Sequence, residues 1–115
     1  MRTIALAFIA PIAEELGLRD RARAVLPPER PGESLWVSAS RALLERRPVD
    51  AAEVFARMPF PVEEAHARLA AARQLVAEGR RAEADAELHR ALAFYRAVGA
   101  ARHVREGEQL LAATA

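Results

Sequence analysis

The chain has 115 residues, a formal net charge of +1 and no cysteine. This length accommodates one domain, residues 1–115, and the lack of cysteine excludes disulfides, thiolate metal sites and cysteine nucleophiles. All 17 basic residues are arginines scattered along the chain, a distribution that argues against nucleic acid as a main partner. Because alanine makes up about a quarter of the chain and β-branched runs are lacking, we expect an all-α fold.

The N-terminal segment predicts a helix over residues 3–16 that ends at Gly17 and contains Pro11. The same segment loosely imitates a secretory signal, but its basic region is a single Arg2 and Pro11 would lie near the cleavage point. No stretch is long enough to span a bilayer. We therefore expect a cytoplasmic protein without a membrane partner, which agrees with the absence of cysteine.

Proline and capping residues mark the ends of the next three predicted helices. A second helix over residues 18–26 precedes the proline-rich turn PPERPGE. A third helix begins near Ser34 and ends at the sequence Arg-Arg-Pro. In the fourth helix, Asp50 as N-cap and Glu53 three residues later match a capping box.

Proline, acidic residues and glycine mark the approximate ends of the last three predicted helices. The fifth begins at Pro61, which suits a first turn and is followed by two acidic residues, and it ends at Gly79. The sixth covers residues 80–97, with Gly99 as its C-terminal cap, and the seventh covers residues 101–113. The chain is therefore expected to form about seven short helices.

Small residues recur at matching places in the odd-numbered helices, at intervals of 30, 32 and 35 residues. These are Ala10, Ser40, Ala72 and Gly107. Alanines recur in the second helix of each pair, and a turn residue follows each first helix. The alanines are Ala22, Ala52 and Ala84, and the turn residues are Gly17, Arg47 and Gly79. This spacing is typical of stacked helix pairs.

The pattern resembles tetratricopeptide repeats, which form an antiparallel helix-hairpin α-solenoid. One copy is matched best by Trp36, Ser40, Leu43 and Ala52, and the next by Ala72, Leu75, Gly79, Ala84, Leu88 and Ala91. The chain departs from the family pattern at Arg68 and His103, where a large aromatic residue is usual. The resemblance covers most of the chain and is weakest in its first quarter.

A narrower resemblance is carried by residues 63–112, from EEAHARLAAARQLVAEG to EGEQLLA. This segment is similar to the C-terminal helical tails of bacterial LuxR-type regulators and ATPase-coupled nucleotide cyclases. None of the catalytic or DNA-binding residues of those proteins would lie within it. The resemblance implies a regulatory module of a bacterial signalling or transcription system.

The sequence contains no motif that favours catalysis or a cofactor. The three histidines, His66, His89 and His103, have no i, i+4 spacing of a helical zinc site. Each glycine stands alone, so no phosphate-binding loop is expected. We expect neither enzymatic activity nor a bound metal, and we interpret the histidines as solvated or partly packed.

The first hypothesis on function is a non-catalytic scaffold that binds a protein or peptide partner, or another domain of a larger regulator, in a concave groove. From the family's geometry, the residues that would face the groove are Val37, Arg41, Glu45, His66, Leu69 and Arg73. The arginines are suited to carboxylates of the partner.

The second hypothesis is a structural module that forms a homodimer. A short repeat array leaves an apolar face at each end, and Leu110 and Leu111 lack a polar cap. A third hypothesis, the sensing of a small molecule between helix layers, lacks a convergent polar cluster.

Overall fold

The computed structural model describes Gly17, residues 19–24 and residues 34–114. Its helices are α1 (Arg19–Ala24), α2 (Leu35–Leu44), α3 (Pro48–Arg57), α4 (Pro61–Ala77), α5 (Arg81–Val98) and α6 (Ala101–Thr114). These ranges contain no strand, and the all-α expectation is thereby confirmed. The predicted helix over residues 3–16, with Ala10 and Pro11, and the segment PPERPGE lie outside the described residues.

Helices α2 and α4 begin where the sequence predicts. Ser34 is the N-cap of α2, and its hydroxyl accepts a hydrogen bond from the backbone N–H of Val37 at 3.4 Å. Pro61 is the first residue of α4, with Glu63 and Glu64 in the first turn. A proline loses nothing at this position because the first helical N–H groups have no intrahelical acceptor.

The predicted start of α3 is wrong. Helix α3 begins at Pro48 and has Arg47 as its N-cap, so Asp50 and Glu53 do not form the capping box that we expected. Instead, the Asp50 carboxylate lies in the first turn and accepts a hydrogen bond from Nη1 of Arg47 at 3.0 Å. The fixed φ of Pro48 favours it as the first residue of the helix, which places Asp50 two residues inside.

Left-handed residues occur at several turns of the described chain. Gly17 and Gly79 have φ of 70° and 75°, and Gly99, with φ of 72°, ends α5 as predicted. The equivalent turn between α2 and α3 uses Arg46, with φ of 58°. Arg47, the expected turn residue, lies between α2 and α3 with φ of −116°, one position after the left-handed residue.

Each described helix packs against the next one in the chain, and α4 also contacts α6. The first core cluster lies among α2, α3 and α4, and it comprises Ala39, Ala42, Ala51, Ala52, Val54, Phe55 and Ala67. The second joins α4 and α5 through Ala65, Leu69, Ala72, Leu88, Ala91 and Tyr95, and α6 packs against it with Val104, Leu110 and Leu111. Trp36 is partly buried against the first cluster, with its ring 4.6 Å from that of Phe60.

The small residues of the predicted repeat lie at helix contacts. Ser40, Ala52, Ala72 and Ala84 are fully buried, and Gly107 is buried as well. Close approach of two helices requires small side chains at the point of contact. The sequence pattern therefore identified positions that the packing keeps small.

Candidate functional site

The structure divides the six predicted groove residues into two groups by exposure. Val37, Arg41 and Leu69 are 4%, 8% and 3% exposed, whereas Glu45, His66 and Arg73 are exposed. The buried residues offer little surface to a partner. Glu45 follows α2 and pairs with Arg47 at 3.0 Å, while His66 and Arg73 lie on α4. His66 and Arg73 belong to a polar cluster that connects several helices.

Three aromatic rings from three helices meet on one side of α4. His66 of α4, Tyr95 of α5 and His103 of α6 form this ring cluster. The centroids of the two imidazoles are 5.0 Å apart, and His103 stacks on Tyr95 at 4.7 Å with an angle of 18° between the planes. The ring cluster therefore links α6 to both α4 and α5.

A hydrogen bond joins two members of the ring cluster. Nδ1 of His66 lies 2.6 Å from the hydroxyl oxygen of Tyr95. Burial raises the pKa of Tyr95 to about 12, and the charge of Glu106 adds to this effect while that of Arg73 opposes it. The hydroxyl therefore keeps its proton near neutral pH. We assign it as the donor to Nδ1, which places the ring proton of neutral His66 on Nε2.

His66 is held in its neutral form by its surroundings. Burial of the ring lowers the pKa of His66, and the nearby His103 lowers it further. The carboxylates of Glu63 and Glu106 act in the opposite direction but do not reverse the shift. Although His66 as a residue is exposed, its Nδ1 faces the buried Tyr95 hydroxyl, so this side of the ring is removed from water.

An ion pair lies beside the ring cluster and connects the same helices. Nη2 of Arg73 on α4 is 2.8 Å from a carboxylate oxygen of Glu106 on α6. Both charges act on the Tyr95 hydroxyl, which places them next to the rings. Together, His66, Arg73, His103 and Glu106 form what we call the α4–α6 surface. Because Arg73 is 53% exposed, its pair with Glu106 contributes little to stability.

A second charged cluster surrounds Arg68, which stands at the other departure from the repeat pattern. The Arg68 side chain is 2% exposed, and its guanidinium donates to Glu64 and Glu87 at 2.8 Å each. Glu53 of α3 lies 3.6 Å away. Burial, the largest influence, lowers the pKa of Arg68, but the bonds to Glu87 and Glu64 outweigh it and raise the pKa. This cluster joins α3, α4 and α5.

An open groove of about 350 Å³ runs beside Arg68. Its lining is Pro61, Glu64, Ala65, Arg68, Arg90, Ala93 and Phe94. The donors of Arg68 are engaged by Glu64 and Glu87, and Arg90 lies 3.8 Å from Glu53. The groove is therefore a shallow surface depression with its buried cation already paired.

The sequence did not identify Tyr95, His103 or Glu106 as part of a site. They lie 29, 37 and 40 residues from His66, and only the packing of α5 and α6 on α4 brings them together. The sequence contained one indication of this cluster: His103 occupies a position where the repeat pattern has a large aromatic ring. The structure places a stacked ring there.

Within the part of the chain that the structure describes, no three side chains of the metal-binding types lie close enough to hold a metal ion. No helix in the same part is long and apolar enough to cross a membrane. No family model, curated protein or solved structure matches this chain.

Proposed function

We propose that the chain is a non-catalytic scaffold that binds a protein partner through the α4–α6 surface. The observation that carries this proposal is that α4 and α6, which are separated in the chain by α5, contact each other directly. As a result, polar side chains from two alternate helices lie side by side, exposed on α4 and half-buried on α6, as the inner wall of a helical repeat requires. In this proposal the scaffold is a cytoplasmic regulatory module of a bacterial signalling or transcription system.

The same proposal includes a tetratricopeptide-like solenoid of about seven helices. Three features support it. Left-handed turn residues recur at Gly17, Arg46 and Gly79, separated by 29 and 33 residues. Ser40, Ala72 and Gly107 are buried at equivalent places in α2, α4 and α6. Ala52 and Ala84 are fully buried in the intervening helices, which matches the paired spacing of the repeat.

The charges of the α4–α6 surface favour a partner that contributes a carboxylate. The guanidinium of Arg73 is 53% exposed and is held by one exposed pair with Glu106, so an acidic side chain of a partner can share or replace Glu106. Arginine binds carboxylates through two parallel N–H donors, which gives such a contact a defined geometry. His66 lies seven residues before Arg73 on the same face of α4, where it offers the partner a second polar contact.

Capture of the partner by charge-reversed variants tests this proposal. We expect the immobilised chain to retain a specific polypeptide from a lysate of its own organism, and Arg73→Glu to reduce the retained amount at least tenfold. The matched control is Arg81→Glu, which reverses an exposed arginine at the start of α5. Equal loss with both variants, or no loss with Arg73→Glu, would contradict the assignment of the surface.

Arg41 is unsuitable for the same test. Its residue is only 8% exposed, and a carboxylate at this position would be buried, so Arg41→Glu would damage the fold. Circular dichroism of each variant, compared with the wild type, provides the check that a loss of capture reflects the surface and not unfolding.

The alternative function is self-association into a homodimer. It is favoured by apolar side chains at the last two helices: Val98 is 59% exposed, and Leu110 and Leu111 are only partly buried. Light scattering over a range of concentrations separates the two functions. A mass that doubles with concentration, and that Val98→Glu returns to the monomer value, would favour the homodimer over the scaffold.

A further inference from the structure

Helix α6 is held on the rest of the described structure by the ring cluster, by one close contact at Gly107, and by Val104, Leu110 and Leu111, which pack against the second core cluster. His103 stacks on Tyr95, and Gly107 lies against the side chain of Leu92. The ion pairs that α6 makes, Arg73 with Glu106 and Arg96 with Glu108, are both exposed and add little. Because the ring of His66 contacts that of His103 at 5.0 Å, a proton on His66 can alter how tightly α6 docks.

The groups around the ring cluster come from all three helices. Helix α4 contributes Glu63 and Arg73, α5 contributes Tyr95, and α6 contributes His103 and Glu106. Glu106 is engaged by Arg73 at 2.8 Å and by Arg102 at 3.4 Å. Two acids therefore favour a charged His66, but one of them is already paired with two arginines.

We propose that α6 is a pH-sensitive element, in which protonation of His66 in mildly acidic solution disturbs its contacts with Tyr95 and His103 and so weakens the docking of α6 on α4 and α5. The release of α6 would take His103 and Glu106 away from the α4–α6 surface. Acidification would then disassemble the partner-binding face, a consequence that rests on the proposed function. The release itself does not depend on any partner.

The hydrogen bond between His66 and Tyr95 explains why protonation is unfavourable in the docked state. A proton on Nδ1 turns this atom from an acceptor into a donor. The Tyr95 hydroxyl must then rotate its own proton towards another acceptor, in a residue that is 2% exposed. In addition, His103, whose ring centroid is 5.0 Å away, opposes a positive charge on His66.

The sign of the pH dependence follows from the His66 shift. A lowered pKa means that docked His66 binds a proton less readily than free His66, whose ordinary value is 6.5. The stabilisation of the docked state is therefore fully present above pH 6.5 and is lost as the pH falls below this value. Histidine is the side chain whose charge changes in this range.

Amide hydrogen exchange of the partner-free chain tests the proposal. After correction for intrinsic exchange rates, we expect the opening equilibrium of α6 to increase several-fold between about pH 7.5 and about pH 5.5, the range in which histidine titrates. Amides of α2 and α3 should keep their protection, because no member of the ring cluster lies on those helices. Unchanged protection of α6 would overturn the proposal.

Two variants isolate the ring cluster. His66→Asn keeps a neutral acceptor for Tyr95, and His103→Phe keeps a flat ring for stacking, so each should reduce the pH response of α6. The matched control is His89→Asn, since His89 is exposed on α5 and its Nδ1 contacts the Asp85 carbonyl oxygen at 2.7 Å. A full pH response in His103→Phe would overturn the proposal even if His66→Asn failed to fold.

Partner capture at the two pH values separates this proposal from the proposed function. If α6 opens in acid and capture is lost, both hold. If α6 opens and capture persists, the pH-sensitive docking is supported but the α4–α6 surface is not the binding face. If α6 stays closed, the pH proposal fails regardless of the capture result.

Discussion

The side chain of Leu92 on α5 fills the space beside Gly107 on α6. A Cβ atom at position 107 would lie 2.6 Å from Cδ2 of Leu92, which is closer than two carbon atoms can approach. We therefore predict that Gly107→Ala destabilises the protein, because overpacking costs about 1–3 kcal/mol and exceeds the gain of roughly 0.5–1 kcal/mol from replacing a helical glycine. Chemical denaturation provides the measurement.

The control is the same substitution in a Leu92→Ala background. Leu92 is 1% exposed, so its truncation alone should cost about 2–5 kcal/mol. In that background the added methyl group enters the cavity, and Gly107→Ala should become neutral or stabilising. An equal cost in both backgrounds would show that the contact between Leu92 and Gly107 is not the cause.

Arg68 is predicted to be the charged residue whose loss most destabilises α4. Arg68→Met would leave Glu64 and Glu87 facing each other without the guanidinium that both contact at 2.8 Å. Removing one partner of a buried pair costs about 3–5 kcal/mol, and we expect the lower end because Glu64 is 28% exposed. Thermal or chemical denaturation at neutral pH measures the loss.

A triple variant separates lost packing from uncompensated charge. In Arg68→Met with Glu64→Gln and Glu87→Gln, the two acids are gone, and most of the lost stability should return. If the triple variant is as unstable as Arg68→Met alone, the arginine acts through its hydrocarbon contacts and not through the ion pairs.

At the left-handed turns, we predict that two substitutions change the stability in opposite directions. Gly79 has φ of 75° with no heavy atom within 4 Å of an added Cβ, so Gly79→Ala should cost about 1–2 kcal/mol from backbone strain alone. Arg46 adopts φ of 58° with a side chain present, and Arg46→Gly should relieve strain and raise the free energy of unfolding by about 0.5 kcal/mol. Stabilisation by Gly79→Ala would contradict the left-handed assignment.

Tyr95 is the only tyrosine in the chain, so its ionisation can be followed directly by tyrosinate absorbance. We predict a pKa of about 12 in the folded chain, against 10.0 for a free tyrosine. Since the pKa is raised on folding, this stabilisation is present below pH 10 and is lost as the pH rises towards 12. The loss should reach roughly 3 kcal/mol, at 1.36 kcal/mol per pKa unit.

The variant Tyr95→Phe removes the ionisable hydroxyl and provides the comparison. At neutral pH it should lose about 1 kcal/mol with the hydrogen bond to His66, and its stability should not show the additional alkaline decline. A tyrosinate transition near pH 10.0 in the folded wild type would contradict the burial of this hydroxyl.

The helix boundaries that could be predicted are those that depend on local chemistry. Pro61 with its acidic neighbours determines the start of α4, and the left-handed Gly79 and Gly99 end α4 and α5. The start of α3 was predicted wrongly because two local signals compete there. Asp50 is a good N-cap, but Pro48 is a better first residue.

The ring cluster could not be predicted because it depends on how three helices pack. His66 and Tyr95 are 29 residues apart, and the side of each helix that faces its neighbour is determined by the core, not by the polar residues. The burial of Leu69 at a predicted groove position has the same origin: it packs in the core with Tyr95. In the sequence, Arg68 appeared only as a departure from the repeat pattern. Its pairing could not be predicted, because its acidic partner Glu87 lies on another helix.

The most direct measurement of the central claim is amide chemical-shift mapping of the isotope-labelled chain during titration with its captured partner. We predict that the perturbed amides cluster at His66, Arg73 and His103 on α4 and α6. Perturbations confined to the outer side of α5, around Ala86 and His89, or the same perturbations when the chain alone is concentrated, would contradict a partner-binding α4–α6 surface.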